Sequence, residues 1–208
     1  MRLPACRRRA RRIKVRQRWK LAQVLASAPD ALLDTHEAER RPVAARVLGL
    51  STKIYHAMNS RSLAGTQRGD EERQLTLSYA GGPLAPADTT GRTTGPRAGD
   101  RAPDARYTDL NGRPGRLHEA YRGPHFTLLA LGDGADHAAE QLPWPRAGAP
   151  LHTLTVPRPG PCLQHAYAVT GPTLVLIRPH GHIAASAPVG QHTSLTHFIE
   201  RAAPSQAK

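Results

Sequence analysis

Three short apolar runs in the second half of the chain constrain its fold more than any other feature. Phe126–Leu131 lies between Gly123-Pro124 and Gly132, Leu151–Val156 forms a second run, and Thr173–Ile177 forms a third. Apolar runs of this length, ended by glycine and proline, are typical of buried strands. The third run leads through the turn 178–181 into residues 182–185, which predicts a hairpin.

Helical periods surround these predicted strands. Stretches near 116–122 and 134–141 separate the early strands, and a last helix is predicted with Thr193 or Ser194 as its cap. Its apolar positions follow i, i+3, i+4 and i+7, namely Leu195, Phe198, Ile199 and Ala202. Strands that alternate with helices and end in a hairpin and a helix predict an α/β sandwich around a central sheet.

The first part of the chain is predicted to be helical. In residues 19–28, Trp19, Ala22 and Leu25 fall on one predicted face. Residues 31–58 also have a helical period, and Pro42 inside them should kink the helix or open a new one. The apolar positions of this period are Val43, Val47, Leu50, Ile54 and Met58.

Composition indicates that part of the chain is not packed. There are 18 glycines and 19 prolines, and only 39% of residues are hydrophobic. Residues 81–98 are rich in Gly, Pro and Thr, which predicts a linker. Residues 59–80 are mixed and contain one strand-like run, 75–79.

The charge of the chain is concentrated at its start. The net charge is +13, but residues 1–20 hold ten basic and no acidic side chains, so the remainder is nearly neutral. Such an arm binds nucleic acid or anionic lipid in some proteins. Because no aromatic-interleaved platform follows it, we interpret residues 1–18 as a disordered basic arm and expect no nucleic-acid partner.

The polar residues predict neither a metal site nor thiol chemistry. Cys6 and Cys162 are isolated, with Cys162 expected in a loop, and Glu37, Glu39 and Arg40 are interpreted as surface charges that pair locally. The histidines lack the spacing and partners of a metal site; those considered were His118, His125, His137, His152, His165, His180 and His182. No run is long and apolar enough for a membrane span, and a reducing cytoplasm is the default compartment.

Two segments resemble a known family. Trp19-Lys20-Leu21-Ala22, followed by residues 31–44 with the order L-L-D-x-H-E-x-E-R-x-P-V, resembles the segment that closes the catalytic region of class A flavin monooxygenases, the aromatic and polyketide hydroxylases. His36 replaces the usual Tyr. Residues 99–105, 117–119, 122–129 and 167–177 resemble the thioredoxin-like C-terminal domain of those enzymes, and 178–181 resembles their R-P-D-G turn, with His180 for Asp. Pro172 falls where thioredoxin folds place a cis proline, and we expect a structural role for it.

The sequence departs from this family upstream. The G-x-N-x-G-x-x-D-A-x-N-L segment that cradles the flavin should precede Trp19, but residues 4–18 contain no Gly, Asn or Asp. The start is therefore expected to come from a shifted reading frame or a mis-called start. Residues 132–137, where thioredoxins and peroxiredoxins carry their cysteine, contain none. A thioredoxin- or peroxiredoxin-like redox protein and a basic nucleic-acid-binding protein are the alternative interpretations.

The resemblance therefore implies the C-terminal part of an FAD-dependent monooxygenase that uses NAD(P)H and oxygen on an aromatic or polyketide substrate. For this chain alone it implies no cofactor and no catalytic, cofactor-binding or metal residue, with a homodimer contact through the thioredoxin-like domain. The predicted units are a basic arm (1–18), a helical remnant of the catalytic region (19–80), a linker (81–98) and a thioredoxin-like domain without redox cysteines (99–205). The last unit is expected to fold autonomously and residues 1–60 to be poorly ordered by themselves.

Overall fold

A mixed four-stranded sheet is the centre of the molecule. The computed structural model describes residues 18–59, 77–85 and 94–203. The helices in chain order are α1 (18–25), α2 (Ala31–Asn59), α3 (Leu117–Ala120), α4 (Ala135–Glu140), α5 (Pro161–Tyr167) and α6 (Thr193–Ala202). The strands are β1 (Arg106–Thr108), β2 (Pro114–Arg116), β3 (Phe126–Leu131), β4 (Leu151–Val156), β5 (Thr173–Ile177) and β6 (Ile183–Pro188).

The strand order of the central sheet is β4-β3-β5-β6, and β1 and β2 form a separate small hairpin. Strand β4 runs parallel to β3, whereas β5 is antiparallel to β3 and β6 is antiparallel to β5. A β-α-β unit followed by a helix, a hairpin and a final helix is the arrangement expected of a thioredoxin-like domain. The predicted α/β fold class and the three central strand runs are therefore confirmed.

Both faces of the sheet are covered because side chains alternate along each strand. Phe126, Leu128 and Ala130 of β3 point into a core that contains the buried residues of α4 and α6, and Leu129 and Leu131 point into a second core with α3 and α5. The four predicted apolar positions of α6 are all buried. The first core also contains Trp19, Ala28, Leu32 and Leu84, which lie outside the thioredoxin-like unit. The predicted division of the chain into segments stays a prediction. The contacts of this core cross two of the predicted boundaries, 80/81 and 98/99.

Of the three apolar residues that share one predicted face of helix α1, only Trp19 is buried. Ala22 is exposed and Leu25 is 79% exposed, whereas Trp19, Lys20 and Gln23 are buried. The buried side chains of α1 include two polar ones, Lys20 and Gln23, and apolar spacing alone does not report their buried hydrogen-bond partners.

Three smaller predictions were also wrong. Residues 77–79 are not part of a sheet, although the Tyr79 N–H donates to Gly99 O at 2.9 Å. Cys162 lies in α5 and not in a loop, because Pro161 at the first turn starts a helix there. Helix α6 has His192 at its N-cap position and no side-chain cap hydrogen bond, and Ser194 Oγ donates instead to Ser186 O at 3.2 Å.

Helix α2 extends beyond the packed body. It is one helix with Pro42 inside it, so Pro42 does not open a second helix. Its residue in the first core is Leu32, and further along Val43, Leu50 and Ile54 are half-buried while Val47 is exposed. Residues 1–17 of the basic arm and residues 75–76 lie outside the described residues. Among the described helices, none has the length and apolar character that crossing a membrane requires.

Candidate functional site

Three segments that are far apart in the sequence meet in a buried ion triad. Lys20 on α1, Glu39 on α2 and Arg178 after β5 are 2%, 7% and 1% exposed. Glu39 Oε2 lies 2.7 Å from Lys20 Nζ, and Glu39 Oε1 lies 2.7 Å from Arg178 Nη1. A single carboxylate therefore joins both helices to the sheet.

The local structure explains why these side chains reach one point. Thr35 and Glu39 are one turn apart on α2, and Lys20 Nζ also donates to Thr35 Oγ1 at 2.7 Å. The Arg178 backbone is held by a tight turn, in which its N–H donates to His182 O and its carbonyl accepts from the Gly181 N–H. Its guanidinium donates through Nη2 to Leu84 O and lies 5.5 Å from the centre of the Phe198 ring.

The electrostatics of this triad are unusual, since two cations share one carboxylate in the interior. Burial lowers the pKa of Lys20, although its contact with Glu39 opposes this shift. Burial likewise lowers the pKa of Arg178, again against the attraction of Glu39. Glu39 is therefore not a surface charge that pairs locally, as the sequence suggested. That interpretation was wrong for Glu39 because its partners lie 19 and 139 residues away along the chain, while Glu37 is exposed as expected.

A stack of rings lies beside the triad. The Trp19 ring is parallel to His180 within 12° at 6.0 Å and meets the edge of Phe126 at 5.3 Å. His180 and His182 stack at 4.7 Å, and Tyr79 lies 4.8 Å from His182. The two histidines that the sequence analysis rejected as metal ligands thus pack against Trp19 and Tyr79. Among the described residues, no group of three His, Cys, Asp or Glu is arranged to hold a metal ion.

Gln23 makes a further link that the sequence did not indicate. Its amide Nε2 donates to Ala202 O at 3.1 Å, and its Oε1 accepts from the Ala149 N–H at 2.6 Å. One fully buried amide therefore joins α1 to the end of α6 and to the loop before β4. A glutamine on a short helix carries no local signal for such a contact.

The turn from β3 into α4 lies where thioredoxins carry their cysteine. Its residues 132–137 include Asp133 and Asp136 but no thiol, and α4 has six residues. Gly132 has φ +94°, and a Cβ there would lie 3.1 Å from Pro172 Cα. The glycine is thus required by the close approach of Pro172. In the described part of the chain every peptide bond is trans, including the one before Pro172.

Comparison with known proteins identifies the family. A family model described as the C-terminal domain of aromatic-ring hydroxylases matches residues 95–203, just over half of the chain. The chain belongs to this family.

The hydroxylase resemblance extends beyond the matched domain into the N-terminal helices. A flavin-dependent monooxygenase from Mycobacteroides abscessus is 40% identical over 174 residues, which cover 83% of this chain and 32% of that protein. A 12-dehydrotetracycline 5-monooxygenase/anhydrotetracycline 6-monooxygenase from Streptomyces rimosus is 31% identical over 185 residues, 81% of this chain and 34% of that protein. This hydroxylase C-terminal chain therefore spans about a third of the length of the curated relatives it matches.

A solved structure is similar over almost the same extent. The ternary complex of aklavinone-11 hydroxylase with FAD and aklavinone superposes with a TM-score of 0.65 at 27% identity, covering 88% of this chain and 37% of that one. The coverage shows that the helices before the hydroxylase C-terminal domain share in the similarity. The ion triad connects the two segments on which the sequence resemblance rested.

A second polar cluster of the hydroxylase C-terminal domain lies under the other sheet face. The hydroxyl oxygens of Tyr121 and Tyr167 are 2.5 Å apart, and Tyr167 donates to Pro103 O at 2.8 Å. Burial raises the pKa of both phenols, so both are protonated at neutral pH. Since their hydrogen bonds are internal, we assign this pair to the packing of α3 and α5.

Gly132→Ala tests the interpretation of the turn. We expect a loss of about 2–3 kcal/mol in unfolding free energy, because the substitution adds left-handed strain and a contact with Pro172. Gly134→Ala is the matched control: its φ is +75° but no atom lies within 4 Å of the added Cβ, so we expect about 1 kcal/mol from strain alone. Urea denaturation measures both. Equal losses would show that contact with Pro172 is not what requires a glycine at 132.

Proposed function

We propose that this chain is the C-terminal part of an FAD-dependent monooxygenase that hydroxylates an aromatic or polyketide substrate with NAD(P)H and oxygen. The similarity to a 12-dehydrotetracycline and anhydrotetracycline monooxygenase and to an aklavinone-11 hydroxylase supports this substrate class. The observation that carries the proposal is the buried triad, because it joins the helices resembling the end of a catalytic region to the thioredoxin-like domain.

The described residues do not fit a flavin. Residues 132–135 form a strand-to-helix turn that contains two glycines. The same turn also contains Asp133, whose negative charge would repel a pyrophosphate. The close approach of Pro172 explains why residue 132 is a glycine, so the glycine does not indicate a bound ligand. In the proposed whole enzyme the remaining two-thirds would hold the flavin, which would supply the oxygen chemistry. We assign no catalytic, cofactor-binding or metal residue to this chain.

The role that remains for this chain is structural. The thioredoxin-like domain fixes α1 and the start of α2 through Glu39, Gln23 and Trp19. The exposed second half of α2 then extends from this rigid base with Val47 and Leu48 at its surface. In the proposed enzyme this segment packs against the catalytic region, so that the domain determines where the last helices of that region lie.

The remaining parts of the proposal follow from the same role. We place the enzyme in the cytoplasm, with a homodimer contact through the thioredoxin-like domain and without nucleic-acid or membrane partners. A thioredoxin- or peroxiredoxin-like activity is not favoured, because Cys162 lies on α5 and the turn 132–137 has no thiol.

The first test uses the chain alone. We expect purified protein to be colourless, to bind no FAD and to reduce no insulin disulfides. Absorbance at the flavin wavelengths after saturation with FAD and gel filtration measures the first, and turbidity of reduced insulin the second. Flavin bound at one equivalent would contradict the assignment of the flavin site to the other two-thirds.

The second test asks whether the chain serves as the C-terminal part of such an enzyme. Residues 19–203 would replace the matching third of the M. abscessus monooxygenase, with the same relative truncated before that third as the control. We expect the chimera to retain flavin and to oxidise NAD(P)H when an aromatic substrate is added, and the truncated control to lose both. A truncated relative as active as the chimera would contradict the proposed structural role.

A further inference from the structure

Two histidine rings are stacked where β3 and β4 begin. His125 directly precedes β3 and His152 is the second residue of β4, and their ring centroids are 3.8 Å apart with the planes inclined by 21°. Strand β4 is parallel to β3 and places His152 opposite Thr127, so both rings lie at the same end of the sheet. They belong neither to the ion triad nor to the ring stack beside Trp19.

The His125 ring is held in one orientation and one tautomer. The residue is 8% exposed, and its Nε2 donates to Ala120 O, at the end of α3, at 3.0 Å. Because a carbonyl oxygen only accepts, Nε2 carries the proton of the neutral ring and Nδ1 carries none. Nδ1 lies against Gly123, where an added Cβ would overlap it. A second proton on this ring would therefore be placed on an atom that faces backbone.

The surroundings of the two rings do not favour a positive charge. Burial lowers the pKa of His152, and the neighbouring His125 ring lowers it further. The charged side chains on the adjoining segments are Glu119 of α3, Arg122 before β3 and Arg146 in the loop before β4, all of them exposed. Among the described residues, neither ring has an ion-pair partner within 4.0 Å. An added proton therefore has no nearby carboxylate to stabilise it.

We propose that the His125–His152 stack is a pH-sensitive clamp, which holds the start of β4 on β3 at neutral pH and loosens it in mild acid. Neutral rings pack face to face, whereas two imidazolium rings at this separation repel each other. His152 is exposed, so a proton reaches it without prior unfolding. The clamp requires only the thioredoxin-like fold and no flavin or substrate, so this inference goes beyond the proposed function.

The direction of the pH dependence follows from the lowered pKa of His152. When the start of β4 opens, this pKa returns towards its ordinary value of 6.5, so the opened state binds a proton more readily than the closed state. The stability of the closed state is fully present above pH 6.5 and is lost as the pH falls through the lower pKa of the folded protein. Opening of β4 should therefore increase below pH 6.5.

Hydrogen exchange of the full chain at about pH 7.5 and about pH 5.5 tests the clamp, with each rate divided by the intrinsic rate at that pH. We expect the protection of residues 151–156 to fall about threefold or more in acid, and that of the internal strand β5 to fall less. His152→Gln removes the titrating ring and should abolish the difference. His165→Gln, at an exposed histidine on α5, is the matched control and should retain it.

A proton NMR titration of the histidine rings is the second measurement. We expect His152 to titrate below its ordinary pKa in the unmodified chain and to move back towards it in His125→Gln. Four results would overturn the proposal: equal β4 protection at both pH values, a loss of protection that β5 shares in full, the same pH dependence in His152→Gln, and an ordinary pKa for His152. If His125→Gln fails to fold, the unmodified chain and His152→Gln decide the question.

Discussion

Replacing Glu39 by glutamine should destabilise the fold by about 3–5 kcal/mol, the usual consequence of removing one partner from a buried ion pair. Glutamine keeps the size of the side chain and one acceptor oxygen. It removes the negative charge that Lys20 and Arg178 share, and it directs an amide N–H₂ at one of these cations. Urea unfolding followed by circular dichroism measures the loss.

Glu37→Gln is the control for this prediction, because it makes the same chemical change two residues away on the exposed face of α2. We expect less than about 0.5 kcal/mol from it. A triple variant, Lys20→Met with Glu39→Leu and Arg178→Met, should recover most of the loss, since apolar side chains remove the buried charges altogether. Equal effects of the Glu37 and Glu39 substitutions would show that the triad does not hold the helices on the sheet.

Trp19→Ala should have an effect of similar size, with a loss of about 3–5 kcal/mol. The Trp19 side chain is 3% exposed and fills the space between Phe126 and His180. Its removal leaves a cavity over β3, and α1 then keeps only the partly buried Val24 and its polar contacts to hold it. The same unfolding measurement tests this, and limited proteolysis should show faster cleavage within α1.

Two controls separate packing from other effects of Trp19. Leu25→Ala, on the same helix but 79% exposed, should change stability by less than about 0.5 kcal/mol. Trp19→Phe should cost less than the alanine variant, because Trp19 Nε1 is buried without a hydrogen-bond partner among the described residues and a phenyl ring removes that polar atom. If Leu25→Ala were the more damaging substitution, the packing of Trp19 would not be what holds α1 on the sheet.

Glu39 and Trp19 also bear on how the chain divides into folding units. The prediction that residues 99–205 fold autonomously is untested. In the structure, Glu39 is an ion-pair partner of the fully buried Arg178, and Trp19 and Leu84 complete the core around Phe126. We therefore expect residues 18–39 and 77–85 to remain bound to the sheet after cleavage elsewhere, and a fragment that begins at Gly99 to be less stable than the whole.

Elements with a strong local signal were determined by the sequence itself. The runs at 126–131, 151–156 and 173–177 became strands β3, β4 and β5 because each is short, apolar and ended by turn residues. Helix α6 was equally readable, since Leu195, Phe198, Ile199 and Ala202 follow one helical face. The absence of a thiol at 132–137 is visible in the sequence itself. The resemblance to the hydroxylase family is also visible there, because it rests on the order and spacing of residues along the chain.

The site depended on tertiary structure. Glu39, Lys20 and Gln23 look like surface residues of helices, and their partners lie up to 179 residues away in the sequence. A polar side chain is buried only where its hydrogen-bonding and charge partners are supplied by other elements, and no local pattern reports those partners. For the same reason the sequence placed Glu39 at the surface, whereas the assembled sheet and helices bury it.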